Sequence, residues 1–166
     1  RSQGSGAIED LSPEKLEAKA RKIILDQLSR AAKSRRQLET LLLEREIPSE
    51  IFGPLLDRFE ELQLIDDAAL AKYLVQSRQS SRGLSRRAIS NLLKERGISE
   101  DHALAALSLI DDESELARAT ELATKKYQSL ERFEPSVRMR RTTAFLMRRG
   151  YSGSTVGEAL RIAIRG

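Results

Sequence analysis

The sequence contains no cysteine, no tryptophan and one histidine, with four prolines, nine glycines and 4% aromatic residues over 166 positions. Without cysteine there can be no disulfide and no thiolate metal ligand, a composition that suits a reducing cytoplasm. His102 has no second imidazole to complete a metal site or a proton relay, so it reads as an ordinary surface or partly buried residue. No apolar run approaches the ~20 residues of a membrane span; runs such as Leu41-Leu42-Leu43 are short. No secretory apolar core, phosphate-cradling glycine loop, nucleophile elbow or zinc spacing is visible. These gaps point away from catalysis, from a cofactor or metal, and from a membrane.

What the chain does have is charge, at 33% of residues against an average of about 25%. Leu, Ala, Glu, Arg and Lys dominate, which favours helices. The balance of sign is uneven. Residues 1–70 carry 11 basic and 14 acidic side chains, a balance of −3; residues 71–115 carry seven of each; residues 116–166 carry 11 basic and four acidic, a balance of +7. A field concentrated in this way attracts polyanions or an acidic protein face.

The chain repeats itself. Ser34-Arg35-Arg36-Gln37-Leu38 through Glu44-Arg45-Glu46-Ile47 aligns without a gap on Ser85-Arg86-Arg87-Ala88-Ile89 through Glu95-Arg96-Gly97-Ile98. A weaker third copy runs from Arg140-Arg141 through Phe145-Leu146-Met147-Arg148-Arg149-Gly150-Tyr151. Similar flanks precede each copy, at Ala20, Ala71 and Ala123, and a serine follows each, at Ser49, Ser99 and Ser152. A fixed period of this size is the mark of a repeat architecture. The expectation is an all-α protein of three tandem three-helix repeats forming an elongated, curved array. A flexible tail over residues 1–13 precedes repeats over 14–65, 66–110 and 111–166.

Local signals agree. Ser12-Pro13-Glu14 places an N-cap, a proline at the first helical position and an acid in the first turn. Leu16, Ala20, Ile23, Ile24 and Leu28 follow at helical spacing. Ser34 and Gln37 form a capping box. The pairs Asp66-Asp67 and Asp111-Asp112 suit helix starts better than metal binding, because they recur at matching places in the repeat. Gly97 and Gly150 stand where a left-handed residue closes a helix. Gly53-Pro54 leaves two readings open: the third helix starts there, or it kinks there.

The basic clusters are the candidate sites. Arg82, Arg86 and Arg87 surround Gly83; Lys125 and Lys126 end the seventh predicted helix; Arg138, Arg140, Arg141, Arg148 and Arg149 lie on the eighth. Most charge runs are simply solvated helix faces, and that reading stands beside the functional one. The concentration of +7 in a single repeat is what argues for a contact surface. Tyr73, Tyr127, Phe133, Phe145 and Tyr151 fall at apolar repeat positions and read as core rather than as stacking platforms.

These residues in this order resemble the RecX family of bacterial regulatory proteins. The likeness rests on Ile65-Asp66-Asp67, Arg82-Gly83, Lys94-Glu95-Arg96-Gly97-Ile98-Ser99, Ala123-Thr124-Lys125-Lys126-Tyr127 and Phe145-Leu146-Met147-Arg148-Arg149-Gly150-Tyr151-Ser152. It covers roughly residues 14–164. Glu46 stands where the family has a glycine in the first repeat, and Ser85-Arg86 where it often has glycine and proline. The resemblance implies a cytoplasmic monomer that lodges in the RecA filament on single-stranded DNA and inhibits its ATPase and strand exchange. It would thereby modulate recombination and DNA repair, with the basic residues above as contacts and the DNA itself within reach. The alternative is a stand-alone helical DNA-binding module or transcriptional regulator. Against that, no single helix is basic and polar enough to read base edges.

Overall fold

The computed structural model describes residues 11–166, so most of the expected tail lies outside the described residues. Among the described residues there are nine α-helices and no strand. They are α1 Pro13–Arg30, α2 Arg35–Glu44, α3 Ser49–Glu61, α4 Asp67–Arg82, α5 Arg86–Glu95, α6 Glu100–Leu107, α7 Asp112–Ser129, α8 Pro135–Arg148 and α9 Gly153–Arg165. The helices start where side chains can satisfy orphan N–H groups. Ser12, Ser34, Ser99, Asp111 and Ser152 accept from the N–H three residues on, and the Asp66 carboxylate accepts from the Ala69 N–H at 3.0 Å. The Ser114 N–H, 2.7 Å away, holds the Asp111 carboxyl below its ordinary value. Both acid pairs thus contribute caps, and His102 lies exposed on α6.

Two compact units divide the chain. One runs through Leu70 and takes in Arg96–Ile98; the other holds Ala71–Glu95 and Ser99–Gly166. In the first, α1, α2 and α3 bury Ala20, Ile24, Leu38, Leu42, Phe52, Leu55, Leu56 and Phe59 in one core. Removing each large aliphatic side chain from water contributes roughly 1.5–3 kcal/mol. The helix expected to begin or bend at Gly53 begins at Ser49, with Pro54 inside it. Pro54 leaves the Glu50 carbonyl without its helical donor. At this first-turn carbonyl the loss is tolerable because burial of Phe52, Leu55 and Leu56 holds the helix down.

Arg35 ties this unit together. Its guanidinium donates to Asp57 and Glu60 at 2.6 Å each and its Nε to Glu39 at 3.1 Å. Burial works against the charge, but the bonds from Glu60 and Asp57 outweigh it and hold Arg35 above its ordinary pKa. The Arg35 N–H donates to the Asp67 carboxylate at 3.0 Å. Buried Ser34 completes its capping box with Gln37 and also donates its hydroxyl to the Arg96 carbonyl.

In the second unit α7 packs on α8 and α9 over Ala119, Ala123, Leu146, Val156, Ala159 and Leu160. The small alanines let α7 and α9 approach closely. Ser85, again buried, accepts from the Ala88 N–H and donates its own N–H to the Arg149 carbonyl at 2.9 Å. The Arg86 N–H donates to Glu115, the counterpart of Arg35 donating to Asp67. Tyr151, 2% exposed, donates its hydroxyl to the Gly83 carbonyl at 2.8 Å.

That last bond carries a prediction. Burial raises the Tyr151 phenol to about 12, against an unfolded value near 10. The fold favours the neutral phenol, so this contribution is complete below pH 10 and is lost as pH rises through about 12. Tyr151→Phe should lose roughly 1–2 kcal/mol at pH 7 by leaving the Gly83 carbonyl unpaired. It should also flatten the fall in stability between pH 10 and 12, read by urea denaturation across that range. An equally steep fall in the variant would show that Tyr151 is not the titrating group.

Candidate partner-binding surface

The sequence-predicted basic residues fall into two groups. Those in the first group are occupied within the chain. Arg86 donates to the Ile110 carbonyl at 2.7 Å and to Asp112 at 2.8 Å, joining the start of α5 to the start of α7. Arg138 donates twice to the Tyr127 carbonyl, at 2.8 and 3.2 Å, and lies 3.7 Å from the Tyr127 ring centroid. Arg118, which composition alone did not single out, behaves in the same way. It donates to the Gln79 carbonyl, which also accepts from the Gly83 N–H, and to the Ser80 carbonyl, which the end of α4 leaves bare. A signal for Arg86 was present in the sequence, since it aligns with Arg35 at an offset of 51.

The second group faces outward. Arg82, Arg87, Lys125, Arg140, Arg141 and Arg148 are exposed, and Lys126 and Arg149 are half-buried. Lys125 pairs with Glu121 at 3.3 Å. Arg149, expected on the eighth helix, is its C-cap, and four-residue spacing makes a ridge of Arg141, Phe145 and Arg149 on one flank of the buried Thr142 and Leu146. Arg149 lies 3.7 Å and Lys126 5.1 Å from the Phe145 ring centroid. Arg141 lies 4.3 Å and Arg132 4.9 Å from Phe133. Cations over aromatic faces are attracted by the ring quadrupole, and the ring fixes a side chain that would otherwise sample many rotamers.

Arg149 holds an unpartnered buried donor in this cluster, although its Nη1 donates to the Phe145 carbonyl at 3.4 Å. Its Nε has no hydrogen-bond partner, and it makes no ion pair among the described residues. Burial lowers its pKa, and neighbouring Arg148 and Arg118 push in the same direction. Arginine stays charged at neutral pH all the same. The outcome is a firmly held positive charge that an external anion would relieve.

The aromatics depart from the expectation of a uniform core. Tyr151 is buried, but Tyr127, Phe133 and Phe145 are half-buried under cations, and Tyr73 is 65% exposed. Tyr73, Tyr127 and Phe145 lie on helices and Phe133 and Tyr151 between them, and apolar periodicity could not reveal that cations from elsewhere in the repeat would cover three of these rings. Among the described residues no group of His, Cys, Asp or Glu could hold a metal ion, and no helix is long and apolar enough to cross a membrane.

Comparison with known proteins gives a consistent answer. The family model "RecX, second three-helix domain" matches residues 66–107, and "RecX, third three-helix domain" matches residues 112–160. The chain is similar to Regulatory protein RecX of Thermobifida fusca, with 40% identity over 150 residues, 90% of this chain and 81% of that one. It is also similar to Regulatory protein RecX of Streptomyces coelicolor, with 39% identity over 143 residues, 86% of this chain and 74% of that one. Among solved structures, RecX from Lactobacillus salivarius superposes with a TM-score of 0.79 at 19% identity, over 92% of this chain and 99% of that one. A second crystal structure, of regulatory protein RecX, gives 0.74 at 25% identity, over 94% and 78%.

Proposed function

The chain belongs to the RecX family of regulatory proteins, and from that premise we propose that it binds the RecA filament on single-stranded DNA and inhibits its ATPase and strand exchange. On this reading it modulates recombination and DNA repair as a binding protein without chemistry of its own. The observation that carries the proposal is the cationic face of the last repeat, where Lys126, Arg141 and Arg149 are held over Phe145 and Phe133. A partner meeting charges already fixed in place loses less side-chain entropy than one meeting free lysines, by roughly 0.5–1.5 kcal/mol per ordered side chain. Of the predicted contacts, Arg82, Arg87, Lys125, Arg140 and Arg148 are accessible to a partner, while Arg86 and Arg138 are engaged in bonds within the chain.

The test is RecA's DNA-dependent ATPase with this protein titrated in, alongside filament lengths by electron microscopy. Dose-dependent inhibition with shorter filaments is expected. An unchanged ATPase and unchanged lengths at saturating protein would refute the proposal. Tight, salt-sensitive binding to DNA without RecA, and no effect on the ATPase, would favour the stand-alone DNA-binding reading instead.

A further inference from the structure

Helix α8 has a second outward ridge that the cationic face does not use. Met139, Thr143 and Met147 recur every four residues on the other flank of buried Thr142 and Leu146, with Arg140, Ala144 and Arg148 running beside them. Met139 is 44% and Met147 49% exposed, large values for flexible apolar side chains. Paired four-residue ridges are what a helix inserts into a groove between two others.

The first compact unit contains such a groove. Between the N-terminal turns of α1 and α3 lies a cleft of about 320 Å³ with Pro13, Ile51, Pro54 and Leu55 as its apolar lining. Its charged lining is Glu14, Glu17, Arg21, Glu50 and Arg58. The two arginines are already neutralised: Arg21 pairs with Glu17 at 2.9 Å and Arg58 with Glu61 at 3.0 Å. Glu14 and Glu50 make no ion pair among the described residues. The lining as a whole carries three glutamates against two arginines.

We propose that the α1–α3 groove receives the Met139–Thr143–Met147 ridge of a second copy of this chain, with Arg140 of that copy meeting Glu14 and Glu50. The charges argue for this occupant. A groove flanked by free carboxylates calls for an apolar ridge edged with arginine, and this chain carries one at the end whose balance is +7 while the groove sits at the end whose balance is −3. The two surfaces are different, so the contact is heterologous, and each bound copy offers a further surface of each kind unless the rotation closes a ring. The contact would weaken with salt because its charges are solvent-exposed. The inference goes beyond the filament reading and does not rest on it; the two share Arg140, while the Lys126, Arg141 and Arg149 face takes no part in the contact between copies.

The test is sedimentation velocity on the chain alone at low salt, from about 10 μM to about 1 mM, where weak contacts populate. The sedimentation coefficient should rise with concentration without a plateau, and 0.5 M salt should suppress the rise. Glu14→Lys with Glu50→Lys, and separately Met139→Ser with Arg140→Glu, should each stay monomeric. Mixed one to one they should form a complex that stops at two chains, because each variant retains one competent surface. A wild-type protein that stays monomeric throughout this range overturns the inference, as does a plateau at a dimer that both variants retain. No RecA is present in this experiment, so its failure would leave the filament proposal untouched.

Discussion

Gly150→Ala is expected to lose about 3 kcal/mol of unfolding free energy, against a small gain for Gly157→Ala. The contrast isolates what glycine does at each place. Gly150 has φ +92°, and a Cβ added there would sit 2.5 Å from the Ser85 Oγ and 2.8 Å from the Ala88 Cβ. Strain in the left-handed region costs of order 1–3 kcal/mol, and overpacking a tight contact typically adds about 1–3 kcal/mol. Little can give way here: Ser85 is buried and bonded to the Ala88 N–H, and its own N–H is committed to the Arg149 carbonyl. Gly157 lies inside α9 with nothing within 4 Å of the added atom. There alanine should gain about 0.5–1 kcal/mol from the helix propensity difference. Thermal and urea denaturation of the two variants would check this, and a Gly150→Ala loss under about 1 kcal/mol would mean that the α4–α5 turn moves aside freely.

This glycine also marks how far the sequence could be read. Its place just past a helix identified it as a cap, and likewise Gly97. The second constraint was hidden. Gly97 is pressed by Arg36, 61 positions away, and Gly150 by Ser85, 65 positions away, and one sequence does not reveal such pairings. Glu46 occupies the same left-handed position in the first repeat at φ 61°, with its side chain exposed, so there the turn needs only a tolerable backbone and not an absent Cβ. The three-helix period, the caps and the serine starts were legible because they are local. The roles of Arg35, Arg86 and Arg118 were not, because charge and spacing are the same for an arginine reaching across to a carbonyl and for one pointing at solvent. The repeat alignment held the one usable clue. An arginine that recurs with a serine cap before it is repeating a structural task, whereas Arg141 falls where the first repeat has Gln37 and the second Ala88.

That distinction predicts which variants separate folding from function. Lys126→Glu combined with Arg141→Glu is expected to raise the concentration needed to half-inhibit RecA's ATPase by roughly a hundredfold, while the protein stays folded. Each reversal replaces an attraction with a repulsion, and a total of about 3 kcal/mol corresponds to that factor. The effect on the fold is smaller. The cation–π contacts to Phe145 and Phe133 contribute about 0.5–1 kcal/mol each at exposed sites, and a new acid in the last turn of α7 opposes the helix dipole by about 0.3–1 kcal/mol. Arg86→Met should behave in the opposite way. It strips the bonds to Ile110 and Asp112, lowering stability by roughly 1–3 kcal/mol, with inhibition intact below the melting transition. Salt then separates the two kinds of partner. If Lys126 and Arg141 contact single-stranded DNA, their reversal should also flatten the dependence of binding on log salt by about 1.4, from roughly 0.7 for each phosphate contact. If they meet an acidic protein face, affinity should fall with no such stoichiometric change in slope. Inhibition that is as strong in the double variant as in the wild type would place the contact surface elsewhere on the chain.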